Sequence, residues 1–403
     1  MTDAIVIIGG GHAAAQLCAA LAEAGQGSTV HLVCEEGALP YQRPPLSKSY
    51  LKNPQEALQL HRDEAWYATH GITLHLGDAA RAVDRTARSV RLASGRELQY
   101  GKLVLATGTR ARTLPALDRP LANVLTLRNQ ADAEAMRGRL QQAGGGEITV
   151  LGGGFIGLEV AATARSLGWR VEVLEAAPRL LARGASPQLS AQILQHHLDM
   201  GTQVQLGVAV GHFESDSVRL QALQANGARH AVDQLVLGIG AVPETTLAHA
   251  AGLEVGNGIL VDAAMVTSDP HILAIGDCTS FEHHGQRVRL ESVQNANDQA
   301  KVAAATLLGI RAAYRPVPWF WSEQGGMRLQ MVGLWRPGLE VVRRQGAAAS
   351  SFSFFHYDGA ELVAVESING PVDHVWSRKL MEKQISPTPQ QAADAAFALK
   401  SLA

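Results

Sequence analysis

Ala4-Ile5-Val6-Ile7-Ile8-Gly9-Gly10-Gly11-His12-Ala13-Ala14 runs an apolar strand into a glycine-rich turn, and Ile148-Thr149-Val150-Leu151-Gly152-Gly153-Gly154-Phe155-Ile156-Gly157-Leu158-Glu159 does so again. Each meets the strand, turn and helix context that a bare glycine pattern lacks. Gly9 and Gly152 permit a tight turn out of the strand, and Gly11 and Gly154 let the backbone approach a pyrophosphate. The third position needs a small residue for close packing of helix on strand; Gly157 fills it in the second turn and Ala14 in the first. Phosphate charge then meets a helix N-terminus. The duplication points to two dinucleotides in one chain.

An acid closes each unit. Val30-His31-Leu32-Val33 ends at Cys34-Glu35-Glu36, and Val171-Glu172-Val173-Leu174 ends at Glu175. A carboxylate there accepts hydrogen bonds from ribose hydroxyls. Behind Glu175 the chain reads Ala176-Ala177-Pro178-Arg179, with no arginine directly after the acid to neutralise a 2′-phosphate, so NAD is favoured over NADP.

Working outward, 403 residues allow roughly two or three domains with cores of their own. The net charge of −2 gives no global attraction to nucleic acid or anionic membrane. No apolar run approaches a membrane helix, and the N-terminal stretch, with Asp3 and no basic residue, reads as a first strand, not a signal peptide. A cytoplasmic protein is expected. The cysteines are Cys18, Cys34 and Cys278, with no closely spaced pair to act as a two-electron relay. Cys18 and Cys34 read as small core hydrophobes. No metal-ligand spacing occurs among cysteines and histidines, and the pairs His196-His197 and His283-His284 suit a solvated surface.

Lys102-Leu103-Val104-Leu105-Ala106-Thr107-Gly108 reads as the strand leaving the first domain, and Gln234-Leu235-Val236-Leu237-Gly238-Ile239-Gly240 as its counterpart in the second. Thr267, then the strand Ile272-Leu273-Ala274-Ile275 and Gly276-Asp277, have no glycine fingerprint before them, so they complete the first domain around an inserted second one. Asp277 at a strand end is placed to hold a ligand hydroxyl. From Arg315 the pattern changes to Trp319-Phe320-Trp321 and short strands at Leu329–Val332, Phe352–Phe355 and Leu362–Val365, then a helix from Val372 to Lys383. The fold class is α/β: two Rossmann-like dinucleotide-binding domains, the second inserted in the first, plus a C-terminal α+β domain. The boundaries are 1–110 with 238–314, 111–237, and 315–403.

With these motifs placed, the chain resembles the ferredoxin reductases of bacterial oxygenase systems, flavoproteins of the glutathione-reductase-like superfamily. The resemblance runs end to end. It rests on Pro40-Tyr41-Gln42-Arg43-Pro44-Pro45-Leu46-Ser47-Lys48, which stands where disulfide reductases carry their cysteine pair, and on Gly154 to Glu159. Ala274-Ile275-Gly276-Asp277-Cys278, Glu291-Ser292-Val293-Gln294-Asn295-Ala296 and Trp319-Phe320-Trp321-Ser322-Glu323-Gln324 follow in family order, with Glu323 where relatives often have Asp. The chain looks most like reductase components of aromatic-ring dioxygenases acting on phenylpropionate and biphenyl.

The resemblance implies FAD on the first turn, at Gly9, Gly11, His12, Ala13, Ala14 and Glu35. It also implies flavin-side contacts from Arg43, Lys48, Val83, Ala106, Thr107, Gly108, Arg128, Gly276, Asp277, Glu291, Ser292, Val293 and Trp321, with Trp321 near the isoalloxazine. NAD would take Gly152, Gly154, Phe155, Ile156, Gly157, Glu159, Glu175, Arg183, Gly238, Ile239 and Gly240. Lys48 and Glu159 are implied to meet beside the flavin and are the candidate catalytic residues; no metal is expected.

The implied activity is NADH-dependent reduction of an iron-sulfur ferredoxin that feeds a terminal oxygenase. Acidic ferredoxins call for a local basic surface, for which Arg43, Arg315, Arg328, Arg336, Arg343, Arg344, Arg378 and Lys379 are candidates. Alternatives on the same scaffold are a reductase for a P450 ferredoxin or a rubredoxin, an NADH oxidase, peroxidase or disulfide reductase, and an NADH-sensing flavoprotein resembling apoptosis-inducing factor. The missing cysteine pair argues against the oxidase group.

Overall fold

The computed structural model describes residues 3–117, 119–142 and 145–403. The chain divides into two compact units, one of Met1–Arg43, Leu58–Arg110 and Val242–Pro316, the other of Pro44–Ala57, Ala111–Ala241 and Val317–Ala403.

In the first unit Ile5–Ile8 is the central strand of a five-stranded parallel sheet, ordered Ile272–Ala274, Lys102–Leu105, Ile5–Ile8, Val30–Cys34, Thr73–Leu76. Ile5 sits opposite Val30 on one side and Lys102 on the other. A strand covered on both faces has no reason to alternate, which is why it reads as an unbroken apolar run. Helices His12–Glu23 and Val293–Leu307 pack together through small residues, with Ala14 and Ala300 fully buried. Ile272–Ala274 joins this sheet beside Lys102–Leu105, so the chain returns to its first sheet after the long excursion between Leu105 and Ile272.

The second unit repeats the pattern. Its parallel sheet is ordered Gln203–Leu206, Arg170–Glu175, Glu147–Leu151, Gln234–Leu237, Val124–Leu125, with Ile148 opposite Val171 and Gln234. Each parallel sheet also carries a small antiparallel companion, Ala80–Asp84, Ser89–Leu92 and Glu97–Gln99 in the first unit and Val210–Ser215, Leu220–Ala225 and Ala228–Ala231 in the second. Short, half-exposed strands leave little periodic signal, and sequence reading finds neither sheet.

From Trp319 the second unit contains an antiparallel sheet ordered Trp319–Gln324, Met327–Gly333, Glu361–Ile368, Phe352–Asp358, Glu340–Gln345. Helix Pro371–Glu382 packs on it over a core that includes Val332, Phe355, Val365 and Leu380. The strand Glu340–Gln345 is absent from the sequence reading because Arg343-Arg344 ends its apolar alternation. Arg344 is buried, not a docking-surface residue as expected. Its guanidinium lies 3.1 Å from Asp373 and donates to the carbonyls of Ala392 and Phe397 at 3.2 and 2.8 Å, clasping the C-terminal segment to the sheet.

Candidate functional site

Both glycine turns are shaped by close backbone approach. Gly9 has φ +129°, and a Cβ there would lie 2.1 Å from the Ala106 carbonyl oxygen; Gly152 has φ +103°, with the corresponding Cβ 2.6 Å from the Gly238 oxygen. No other residue type fits either position without displacing backbone. A Cβ on Gly157 would sit 2.5 Å from the Gly152 oxygen, whereas Ala14 is accommodated in the first turn and fully buried. Helices His12–Glu23 and Phe155–Ser166 each start from a glycine without a side-chain cap and with no acid in the first turn. A helix start of this kind favours an anion, so both turns fit a pyrophosphate.

The acids differ in placement. Glu175 bends back onto the second turn, its Oε2 accepting the Gly153 N–H at 2.5 Å and its Oε1 the Ala177 N–H at 2.6 Å. Arg179, four residues on, donates to the carbonyls of Ala182 and Ala185 and to Ser190 Oγ, each at 2.7 Å, and lies over the Trp335 ring. In the first unit Glu35 is exposed, while its neighbour Glu36 accepts from Tyr41 Oη at 2.5 Å and pairs with Arg43 at 2.7 Å. Arg43 is thus held by an acid that sequence reading left without a role.

Around the first turn the fold collects the other motifs of its unit. A Cβ on Gly276 would touch Ala13 Cβ at 3.2 Å, so Gly276-Asp277 abuts the start of the first helix. The Gly276 N–H is anchored by Gln299 Oε1 at 2.7 Å, and Thr267 Oγ1 donates to the Ile272 carbonyl at 2.8 Å. Arg289 bridges Asp277 and Glu291, donating to the Asp277 carbonyl and pairing with the Glu291 carboxylate at 2.6 Å. Ser292 caps helix Val293–Leu307 through the Asn295 N–H. Ala106, Thr107 and Gly108 follow the strand that Gly9 approaches, Thr107 Oγ1 donating to the Glu244 carbonyl at 2.6 Å, and Val83 packs against the same core. His12 opens the first helix with its ring edge-on to His61, 4.6 Å between centroids.

In the second unit Lys48 Nζ meets Glu159 Oε2 at 2.5 Å. Segment Pro44–Lys52 is tied to helix Phe155–Ser166 by Ser47 Oγ, also 2.5 Å from Glu159 Oε2, and by Thr163 Oγ1, which donates to the Ser47 carbonyl at 2.8 Å. Phe155 packs against Phe320 with ring centroids 4.6 Å apart and planes tilted by 56°, and Ile156 is exposed. Arg183 is exposed and reaches Gly240, where a Cβ would lie 3.0 Å from its guanidinium. Arg128 and Trp321 belong to this unit too; Asp132 accepts the Arg128 N–H, and Trp321 lies 5.7 Å from Trp319 at 32°. Arg378 and His374 also lie against the Trp319 ring.

The histidine expectation fails at His197. It is fully buried, with Nε2 2.9 Å from Gln324 Oε1, and burial lowers its pKa to about 4. An adjacent-pair pattern hides this because only one face of helix Pro187–Asp199 looks outward. Sequence reading also misses Ser47, Ser322 and Gln324, whose roles come from distant partners. All three cysteines are buried and unpaired; burial pushes the Cys34 thiol up to about 12.

Comparison with known proteins gives the family. The family described as pyridine nucleotide-disulphide oxidoreductase matches residues 3–300, and a reductase C-terminal family matches 319–403. Rhodocoxin reductase of Rhodococcus erythropolis is 42% identical over 402 residues, covering 98% of this chain and 93% of that protein. The ferredoxin–NAD(+) reductase component of the anthranilate 1,2-dioxygenase system of Burkholderia cepacia is 40% identical, covering 99% of each. The solved covalent complex of putidaredoxin reductase with putidaredoxin is similar at a TM-score of 0.93 and 37% identity, covering 99% of this chain and 98% of that one. Among the described residues no helix is long and apolar enough to cross a membrane.

Proposed function

The chain belongs to the pyridine nucleotide-disulphide oxidoreductase family, and from that premise we propose that it is an NADH-dependent flavoprotein passing electrons through FAD to an iron-sulfur ferredoxin that serves an aromatic-ring-hydroxylating dioxygenase. The observation that carries the outward transfer is Arg43 to Lys48. Family members that reduce disulfides need a cysteine pair, and this chain has three cysteines, each buried and separate. The named relatives, a rhodocoxin reductase and the ferredoxin–NAD(+) reductase component of a dioxygenase system, support the same reading.

FAD, when bound, accepts a hydride from NADH and releases the electrons one at a time. The protein's part is binding, orientation and charge. Gly9, Gly11 and the helix from His12 hold one pyrophosphate, with Glu35 for ribose and Asp277 for the ribityl chain; Gly152, Gly154 and the helix from Phe155 hold the other. Lys48, Val83, Ala106, Arg128, Val293 and Trp321 complete the flavin contacts, and Arg183 and Gly238 to Gly240 those of NAD. Glu175 supports NADH over NADPH, since its carboxylate stands on the second turn and Arg179 is committed to carbonyls. Lys48 and Glu159 supply a fixed charge pair rather than a nucleophile. The domain division of 1–110 with 238–314, 111–237 and 315–403 follows from the same assignment, and we place the protein in the cytoplasm. In the second unit a basic docking surface draws on the exposed Arg328, Arg336, Arg343 and Lys379.

Anaerobic stopped-flow reduction with NADH and NADPH, followed by presentation of ferredoxin, rubredoxin and peroxide, tests the reading. Rapid reduction by NADH and transfer to ferredoxin is expected; turnover with peroxide alone would overturn it.

A further inference from the structure

Glu159 is 3% exposed, and its two oxygens have different partners. Oε2 faces Lys48 and Ser47, and Oε1 accepts from Ser322 Oγ at 2.6 Å. Ser322 is itself fully buried, 3.2 Å from Gln324 Nε2, and Gln324 Oε1 lies 2.9 Å from His197 Nε2. The chemistry sets the direction of this chain. A carboxylate only accepts, so the single Ser322 hydroxyl proton goes to Glu159 and the Ser322 oxygen must accept from Gln324. The amide nitrogen therefore faces Ser322, its oxygen faces His197, and His197 carries its proton on Nε2. Two further facts agree: burial keeps the His197 imidazole neutral, and its Nδ1 is buried with no hydrogen-bond partner among the described residues. His196 Nε2, 2.7 Å from the Gln324 carbonyl, fixes the backbone beneath.

Strand Trp319–Gln324 makes this possible by its two-residue period. Ser322 and Gln324 are fully buried, whereas Glu323 between them is exposed, on the same strand face as Trp321. The Glu for Asp exchange at 323 thus leaves the chain untouched. The charged group on Glu159 is Lys48; Tyr50, two residues on, directs its hydroxyl to Glu134 at 3.4 Å.

We propose that Ser322 and Gln324 are positioning residues for the Lys48–Glu159 pair, the last links of a one-way donor chain from His197 that fixes the Glu159 carboxylate with Oε2 toward Lys48. The inference rests on the reading of that pair as part of the electron-transfer machinery. A glutamate side chain has three rotatable torsions, and anchoring Oε1 stops the carboxylate from turning away from the lysine. A hydrogen bond to an ionised group is the strong kind, so its loss is measurable.

Long-range ¹H–¹⁵N correlation of the histidine rings reads the chain without reference to turnover. In the wild type His197 is expected as the Nε2–H tautomer at neutral pH; in Ser322→Ala a second tautomer appears because the Gln324 amide is no longer oriented. The same variant should slow flavin reduction at saturating NADH about tenfold, with little change in NADH affinity. Ser322→Thr, which keeps the hydroxyl, restores both signals, and Gln324→Met, which keeps the volume, weakens them in the same direction. On a Glu159→Gln background Ser322→Ala should add no further loss, the mark of a residue acting through Glu159. A wild-type Nδ1–H tautomer, or an equal loss on both backgrounds, would overturn the proposal while leaving the charge pair standing. Unaltered flavin reduction in Glu159→Gln removes the pair's role instead.

Discussion

Lys48 Nζ lies 2.5 Å from Glu159 Oε2 although the two stand 111 positions apart in the sequence. The lysine side chain is 21% exposed and the glutamate 4%. A pair this asymmetric leaves the more buried partner uncompensated when the other is lost.

Lys48→Met should lower the rate of flavin reduction at saturating NADH about tenfold, the effect of losing one charge-assisted contact. Visible absorbance should show FAD retained. Anaerobic stopped-flow measures both, and a wild-type rate in the variant would remove Lys48 from the mechanism.

Gly9→Ala and Gly152→Ala separate the two turns. Each forces a Cβ into backbone at positive φ, with strain of about 1–3 kcal/mol. Gly9→Ala should purify with depleted flavin, and Gly152→Ala with normal flavin but weakened NADH binding. The reverse pattern would exchange the cofactor assignments.

NADPH should be the poorer donor by about 100-fold in kcat/KM, because a 2′-phosphate beside Glu175 sets like charges together. Glu175→Gln should narrow that gap. Equal use of both nucleotides by the wild type counts against the placement of Glu175 at the ribose.

Acid should destabilise the protein through His197. Its folded pKa is about 4 against an ordinary value near 6.5, so between those values the unfolded chain binds more protons and stability falls as pH falls. At pH 5 the loss is on the order of 2 kcal/mol, seen as a lower Tm. His197→Asn, which still offers a donor to Gln324, should flatten the decline; an unchanged slope would mean that other groups carry it.

Arg344→Met should cost about 3–5 kcal/mol by stranding Asp373, with a large drop in Tm. The salt dependence of ferredoxin reduction should stay as in the wild type. A changed salt response with little loss of stability would restore Arg344 to the docking surface.

Legibility in the sequence followed how local each signal is. The glycine turns, the acid Glu175 and the strand entering Gly276-Asp277 are each encoded within a few consecutive residues, and all were readable. Glu340–Gln345 and the two small antiparallel sheets were not, because half-exposed strands lack a clear period. Arg344 and His197 were misread for a common reason: a polar side chain goes inside only when distant atoms satisfy it, and those atoms, Asp373 and Gln324, lie far along the chain.

Sequence alone determined the α/β class, the two dinucleotide units and the absence of a cysteine relay, since strand periodicity, glycine turns and residue counts need no partner. Tertiary structure alone decided which polar residues are hydrogen-bonded to Glu159 and to one another. Ser47, Glu159, Ser322, Gln324 and His197 come from four separate segments, and only folding brings donor to acceptor at hydrogen-bond distance in a place dry enough for direction to matter.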